Sequence, residues 1–200
     1  MKIRAVFFDL GGVILRTEDP KPRTNLAKSI GLSYAEIDRL VFENESSRKA
    51  SLGFINEAEH WTNVAASLDL PGSEVERLKH EFFAGDRIDT ILLDLIRDLR
   101  KTCKVGVISN AWSGLRAWMD DQNITQLFDD MVISAEVGFA KPDPRIYQAA
   151  LQNLQVKPHE SVFIDDMPGN VDAARKIGMQ AVHFKEPAQA VAEINSLLKG

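Results

Sequence analysis

The strongest constraint on the fold is an alternation of short apolar runs with amphipathic helical patterns from Asp89 onward. The runs are rich in Val, Ile or Phe, which is typical of strands covered on both faces. Strand and helix repeated in this order predict an α/β fold, a parallel sheet with helices on both faces. The predicted strands are IRAVFFD, KVGVIS, SVFID and QAVHF, with DMVIS as a fifth; the predicted helices are TILLDLIRDLRK, SGLRAWMDDQ, PRIYQAALQNL, NVDAARKIG and PAQAVAEINSLLK.

Residues 17–88 show a different pattern, with helical signals and no convincing strand. Ser33 and Glu36 have the spacing of a capping box at a helix start. NEAEHWTNVAASL and SEVERLKHEFF predict two further helices. We therefore predict an all-helical cap domain at residues 17–88, inserted into an α/β core domain made of residues 1–16 and 89–200.

Composition limits the partners that the chain can have. The formal net charge is −5 and no long basic run occurs, so a nucleic-acid partner is not expected. Cys103 is the single cysteine, which excludes an internal disulfide and favours a cytoplasmic location. No segment approaches the roughly 20 apolar residues that cross a bilayer, so no membrane association is expected. A small anionic ligand is compatible with this net charge, because binding it needs only a few local positive groups.

Polar side chains follow several of the predicted strands. They are Asp9 after the first strand, Ser109 and Asn110 at the end of the second, and Asp165 and Asp166 at the end of SVFID. Lys141 stands just before a predicted helix start in AKPDPRIY. Ligands bind at the carboxyl ends of strands in open parallel sheets, so these groups form a chemically coherent set.

Asp9 is the candidate nucleophile, since a carboxylate can attack phosphorus and form an acyl-phosphate that water then hydrolyses. A phosphate monoester is itself anionic, and Mg²⁺ between Asp9 and Asp166 would offset the repulsion. The backbone carbonyl of Gly11 could contribute to the same ion. Two adjacent acids after an apolar strand are costly without a cation, which favours a metal role for Asp165 and Asp166.

The remaining groups of the set suit phosphate binding. Ser109 and the Asn110 amide would donate to phosphoryl oxygens, and Lys141 would neutralise charge that develops in the transition state. Taken alone, a Ser-Asn pair is a common helix cap and KPDP is a turn signal. We expect Asn170 to cap the helix NVDAARKIG rather than to contact substrate, and Trp112 to pack in the core or the cap.

Four motifs in order carry a family resemblance: DLGGV at Asp9, VISNA at Ser109, KPDPRIY at Lys141 and FIDDMPGNVDAARKIGM at Asp165. With them the chain resembles the haloacid dehalogenase-like (HAD) hydrolase superfamily, with a helical cap after the first motif. The resemblance implies a Rossmann-like core, an aspartyl-phosphate intermediate, Mg²⁺ dependence and a cap that selects substrate. It also implies that Asp166 binds the metal directly, with Asp165 as a ligand or the partner of one.

One position departs from the family pattern. Phosphatases of this superfamily usually carry a second aspartate two residues after the nucleophile, where this chain has Gly11. That aspartate protonates the leaving group, and such acid–base help is worth about 10²–10⁴-fold in rate. A glycine at this position keeps the backbone carbonyl that can bind the metal, but it lacks the carboxylic acid of the aspartate. Glu18 or Asp19 could substitute for it from the start of the cap.

Three functions are therefore compared. The first is a Mg²⁺-dependent phosphatase acting on a small phosphorylated metabolite. The second is a 2-haloacid dehalogenase, in which the same aspartate attacks carbon without a metal, but two packed acids would then only repel an anionic substrate. The third is a phosphate-binding module with little turnover because of Gly11. The sequence favours the phosphatase and leaves its substrate and oligomeric state open.

Overall fold

A five-stranded parallel sheet lies at the centre of the molecule, whose computed structural model describes residues 2–199. The strands are β1 (Ala5–Phe8), β2 (Leu15–Thr17), β3 (Asp86–Ile88), β4 (Lys104–Ser109), β5 (Asp130–Ile133), β6 (Ser161–Asp165) and β7 (Gln180–His183). The helices are α1 (Lys21–Ser29), α2 (Tyr34–Phe42), α3 (Glu45–Ser51), α4 (Glu57–Ser67), α5 (Val75–Phe83), α6 (Thr90–Leu99), α7 (Leu115–Asp121), α8 (Ser134–Val137), α9 (Pro144–Asn153), α10 (Pro168–Lys176) and α11 (Pro187–Lys199). None of these helices is long and apolar enough to span a bilayer.

The order of the strands in the sheet is β5-β4-β1-β6-β7, and every pair is parallel. All five strands predicted from apolar runs are present, which confirms the predicted Rossmann-like α/β fold. In the central strand β1, Phe8 is in register with Val107 of β4 and Ile164 of β6. The carboxyl ends of β1, β4 and β6 therefore lie side by side at one edge of the sheet.

Alternate residues of β1 face opposite sides of the sheet, because successive side chains of a strand point to opposite faces. Val6 and Phe8 are fully buried in the hydrophobic cluster that includes α6 and α11. Ala5 and Phe7 are fully buried in the cluster that includes α9 and α10. Both faces of the sheet are thus covered, as the continuous apolar runs predict.

The segment predicted as purely helical contains more elements than expected. β2 and β3 form an antiparallel two-stranded ribbon, with Leu15 opposite Ile88, so the expectation of no strand in residues 17–88 is wrong. These strands have three residues each and are only partly buried, so neither has an apolar run that would reveal it. The proposed domain boundaries fall at this ribbon, and the division into core and cap domains stays a prediction.

Helices α1 and α3 are additional to the three predicted ones. The α3 sequence ESSRKAS has no large apolar residue, and it begins where the Asn44 side chain accepts from the Ser47 N–H. The predicted capping box of Ser33 and Glu36 is present at the start of α2. A local cap therefore starts α3, where hydrophobic periodicity gives no signal.

Helices α1–α5, called here the helical segment (Lys21–Phe83), have their own hydrophobic cluster, which includes Leu26, Ile37, Trp61 and Phe82. Arg23 is buried beside this cluster, and its guanidinium donates to the Phe82 carbonyl at 3.1 Å. It also pairs with Asp38 at 2.7 Å and with Asp86 of β3 at 3.2 Å. Arg23 therefore joins the helical segment to the ribbon that leads back to the sheet.

A second attachment is made by the loop after β4. Trp112 of this loop belongs to the hydrophobic cluster of the helical segment and is 9% exposed. Its ring centroid lies 4.3 Å from that of His60, 5.8 Å from Phe42 and 5.9 Å from Trp61. In addition, the backbone N–H of Glu57 donates to Ser113 Oγ at 3.1 Å. The packing role expected for Trp112 is thus found between the sheet and the helical segment.

We predict that Trp112→Ala lowers the free energy of unfolding by about 3 kcal/mol, because it empties a buried aromatic site. The matched control is Phe54→Ala, which removes an aromatic ring that is 77% exposed and should change stability by about 0.5 kcal/mol or less. Denaturant unfolding followed by circular dichroism measures both. Equal losses in the two variants would contradict the attachment described here.

Candidate active site

Three carboxylates meet at the carboxyl edge of the sheet. Asp9 directly follows β1, Asp165 is the last residue of β6, and Asp166 comes next. One carboxylate oxygen from each lies within 4.8 Å of the other two. Asp165 is fully buried, Asp9 is 7% exposed and Asp166 is partly buried. The structure therefore brings together all three acids that the sequence analysis nominated, in an arrangement that can hold a metal ion.

Lys141 lies between two of these acids. Its Nζ is 2.7 Å from Asp9 Oδ1 and 2.7 Å from Asp165 Oδ2, and its side chain is buried. The Asn110 side chain fixes the lysine backbone: the Lys141 N–H donates to Asn110 Oδ1 at 2.7 Å, and Asn110 Nδ2 donates to the Lys141 carbonyl at 2.9 Å. The end of β4 thus positions the one cation of the site.

Asn170 contributes to the site in a way that the sequence analysis missed. Its Nδ2 lies 3.0 Å and 3.1 Å from the two carboxylate oxygens of Asp165. Met167 N–H also donates to Asp165 Oδ1, at 2.8 Å. The carbonyl of Asn170 in turn accepts from the Tyr147 hydroxyl at 3.0 Å. Asp165 is therefore held by Lys141, an amide and a backbone N–H. The sequence signal for this contact is the short spacing: Asn170 follows Asp165 by five residues, from the end of a strand to the start of a helix.

Burial and mutual repulsion alter the protonation of the cluster. Burial raises the pKa of Asp9 to about 7, and the nearby Asp165 adds to this, whereas Lys141 acts in the opposite direction. Burial and Asp165 also raise the pKa of Asp166. One ammonium group is thus insufficient to keep these carboxyls ionised as in water. A further cation among them would favour the ionised forms.

The two glycines after Asp9 have different roles. Gly12 has a φ of +80°, and a Cβ atom at that position would overlap the carboxylate of Asp166. Gly11 has no positive φ, and a Cβ there would meet nothing within 4 Å. Gly12 is therefore required by the backbone and by the close approach of Asp166. Gly11 leaves open space where a side chain would fit.

The other residues that the sequence analysis proposed for the site, or as a substitute acid, lie in different surroundings. Ser109 is buried at the last position of β4, next to Asn110. Glu18, considered as a substitute acid, pairs with Arg16 at 2.8 Å. Asp19 Oδ1 accepts from the Lys21 N–H at 3.0 Å, near the start of α1. Neither acid belongs to the group of Asp9, Asp165 and Asp166.

Comparison with protein families decides the assignment. The model of the haloacid dehalogenase-like hydrolase family matches residues 3–178. This range includes every residue of the candidate active site. The chain belongs to this family. The resemblance carried by the four motifs is thus confirmed, and the protein is an HAD-like hydrolase.

Curated relatives of this HAD-like hydrolase include phosphatases. A phosphatase from Mycobacterium tuberculosis is 30% identical over 190 residues, which cover 90% of this chain and 87% of the relative. Bifunctional epoxide hydrolase 2 from Mus musculus is 34% identical over 221 residues, which cover 98% of this chain but only 39% of the relative. The chain thus spans about two fifths of the length of the epoxide hydrolases that it matches.

Solved structures show the same fold. An HAD-like family hydrolase from Porphyromonas gingivalis has a TM-score of 0.80 at 24% identity, with 100% of both chains covered. An HAD family enzyme from Bacteroides thetaiotaomicron, solved with magnesium and inorganic phosphate, has a TM-score of 0.75 at 24% identity, covering 92% of this chain and 94% of that one. A 2-haloacid dehalogenase from Pseudomonas syringae has a TM-score of 0.63 at 18% identity, covering 98% of each chain.

We predict that Gly12→Ala destabilises the protein by about 1–3 kcal/mol, because the new Cβ adopts an unfavourable φ and displaces Asp166. Gly11→Ala is the matched control and should stay within about 0.5 kcal/mol of the wild type. Thermal unfolding of both variants is the measurement. A Gly11→Ala variant as unstable as Gly12→Ala would show that the turn does not distinguish the two positions.

Proposed function

We propose that the protein is a Mg²⁺-dependent phosphatase that hydrolyses a small phosphorylated metabolite through an aspartyl-phosphate on Asp9. The observation that carries this proposal is that carboxylate oxygens of Asp9, Asp165 and Asp166 lie within 4.8 Å of one another. The ammonium of Lys141 pairs with the first two of these acids. The phosphatases among the relatives and the magnesium and phosphate bound by a structural neighbour support the same reaction class.

The donor set fits Mg²⁺. It consists of carboxylate oxygens, which are hard ligands, on Asp9, Asp166 and Asp165. The carbonyl of Gly11, two residues after Asp9, is proposed as a further ligand. The raised pKa of Asp9 reflects a buried carboxyl with too little positive charge nearby. A divalent cation bound there would supply charge neutralisation for the anionic substrate and for the attacking carboxylate.

Asp9 is oriented for attack by its neighbours. Its Oδ1 accepts from Lys141 Nζ and from the Leu10 N–H, each at 2.7 Å. Within residues 2–199 no hydrogen bond engages Oδ2 of Asp9. We assign Oδ2 to the attack on phosphorus: the Oδ2–P bond forms and the bond from phosphorus to the leaving oxygen breaks. Water then hydrolyses the acyl-phosphate and regenerates Asp9.

Charge on the phosphoryl group is balanced by the loop after β4 and by Lys141. In this proposal the Ser109 hydroxyl and the second N–H of the Asn110 amide donate to phosphoryl oxygens. Lys141 remains beside Asp9 and neutralises the charge that develops as the P–O bond breaks. Because Asn110 also holds the Lys141 backbone, it serves both as a substrate contact and as a support for the cation.

In this proposal no acid among residues 2–199 is assigned to the leaving group. Gly11 has no side chain, and Glu18 and Asp19 are engaged with Arg16 and with the start of α1. We infer that the leaving oxygen takes its proton from water, which makes substrates with acidic leaving groups the better ones. The helical segment, attached through Trp112 directly beyond the phosphate loop, is proposed to act as the cap that selects the substrate.

Phosphatase activity is tested with p-nitrophenyl phosphate. We expect release of p-nitrophenol with Mg²⁺, its loss with EDTA, and a decrease of about 10³-fold or more in Asp9→Asn, because the nucleophile is removed. Asp172→Asn, an exposed acid on α10, is the matched control and should retain activity. EDTA-insensitive halide release from 2-chloropropionate would instead identify a dehalogenase. Phosphate binding without turnover of any ester would identify a binding module.

Magnesium affinity should depend on pH with a defined sign. Asp9 is protonated below its pKa of about 7, so a proton competes with the metal at low pH. We expect Mg²⁺ to bind about tenfold more weakly at pH 6 than at pH 8, since about a tenth of Asp9 is ionised at the lower pH. Isothermal titration calorimetry measures this. Affinity that is equal at both values would contradict the raised pKa.

Restoring an acid tests the role of Gly11. Gly11→Asp has room for its side chain, and we expect turnover of a sugar phosphate, a poor leaving group, to rise about tenfold or more. p-Nitrophenyl phosphate, which needs little protonation, should gain much less. Gly11→Asn is the matched control because it fills the same space without an acid. No increase in a folded Gly11→Asp variant would show that the missing acid does not limit the rate.

A further inference from the structure

A cleft of ≈480 Å³ lies at the edge of the sheet opposite the three carboxylates. It is formed where β1 and β4 begin and where α6 ends, whereas Asp9 and Ser109 stand at the other ends of the same two strands. Among the residues that line it are Lys2, Arg4, Arg100, Lys104, Cys103 and Asp129. Its volume is that of a pocket for a small molecule.

The charge of the cleft is opposite to that of the chain. Four of its lining side chains are cationic and one, Asp129, is acidic, which leaves a surplus of three positive charges in a protein of net charge −5. The acid is itself engaged: Asp129 Oδ2 accepts from the Val105 N–H at 2.8 Å, and Oδ1 lies 3.4 Å from Arg100. Asp129 therefore offsets the charge of Arg100 and leaves the other three lining cations without an acidic partner in the lining.

Two of the cations have no acidic partner in the part of the chain that the structure describes. Lys104 Nζ donates to the Leu154 carbonyl at 2.8 Å and pairs with no carboxylate, and Lys2 forms no ion pair there. Arg4 is paired only with Glu160, at 3.4 Å, and half of its side chain is exposed. Such exposed pairs contribute little and leave the guanidinium available to a ligand.

The backbone carbonyls and the thiol beside the cations are already hydrogen-bonded or neutral. The carbonyl of Leu99, at the end of α6, accepts from the N–H groups of Thr102 and Cys103, each at 2.9 Å. Arg100 donates to the Gln126 carbonyl at 2.6 Å. Burial raises the pKa of the Cys103 thiol, which keeps it in the uncharged form. Among the described residues, the acids paired with these cations are thus Asp129 in the lining and Glu160 beside Arg4.

We propose that this cleft binds a small polyanion carrying two or more phosphate groups, at a site separate from the active site. The lining carries a surplus of three positive charges, and of two when Glu160 is counted with Arg4. This surplus matches a ligand with several phosphoryl oxygens better than a single phosphate, because each added charge adds a favourable pair. The bound anion would contact Arg4, just before β1, and Lys104, the first residue of β4. Asp9 and Ser109 stand at the other ends of these two strands. The proposal does not depend on the reaction assigned to the active site.

Cys103 gives a local test, because it is the single cysteine of the chain and lines the cleft. Its alkylation by uncharged iodoacetamide is followed by mass spectrometry, with no divalent metal added, in the presence of tripolyphosphate or orthophosphate. We expect tripolyphosphate to slow the alkylation severalfold, and to do so at a concentration at least about tenfold lower than orthophosphate. An anion bound at the active site would not protect this thiol.

Two double variants with equal charge change separate the site from general attraction. Arg100→Gln/Lys104→Gln should lose the protection. Arg97→Gln/Lys101→Gln removes two exposed cations of the same region that do not line the cleft, and it should keep the protection. Thermal unfolding confirms that both variants are folded, and single Lys104→Gln replaces the first if it is not. The proposal would be overturned if tripolyphosphate did not protect Cys103 of the wild type, or if orthophosphate protected it equally well. It would also be overturned if the cleft variant kept the protection or the control variant lost it.

Discussion

Repulsion among three carboxylates is the constraint around which the site is built. The parallel order of β1 and β6 forces Asp9 and Asp165 together, and the turn at Gly12 admits the side chain of Asp166 beside them. Burial makes this repulsion stronger, because the protein interior screens charge less than water does. Lys141 offsets part of it through two ion pairs of 2.7 Å. Much of the surrounding structure holds that lysine or those acids in place.

The supports of the site come from several separate elements. Asn110 at the end of β4 holds the Lys141 backbone, and Asn170 at the start of α10 holds Asp165. Both are amides, which can donate to an acid without adding a charge to the cluster. An acid or a lysine at either position would change the charge of the site, whereas an amide only orients its partner. The charge of the cluster is thus set by four side chains and its geometry by two more.

Much of this arrangement is predictable from sequence, because buried parallel strands are continuous apolar runs. A polar residue at the end of such a run is therefore easy to recognise as a candidate site residue. Asp9, Ser109 and Asp165 were found in this way. Asn170 was not, since an asparagine near a helix start has an equally good reading as a cap. The ribbon of β2 and β3 and the polar helix α3 were missed because pairing and capping, not apolar periodicity, define them. The contact of Trp112 with His60 depends on tertiary packing between distant parts of the chain.

The packing of Trp112 inside the helical segment limits how this segment could be exchanged between proteins of the same fold. The helical segment is one continuous insertion, so it looks exchangeable between scaffolds by cutting only at the ribbon. Its interior, however, is completed by Trp112 from the loop after β4, and the Glu57 backbone N–H donates to the adjacent Ser113. A chimaera built by transplanting residues 18–85 alone would leave a vacancy in the transplanted helices, because Trp112 stays behind with the rest of this chain. The unit that packs together is therefore discontinuous in the sequence, and it includes the loop at residues 111–114.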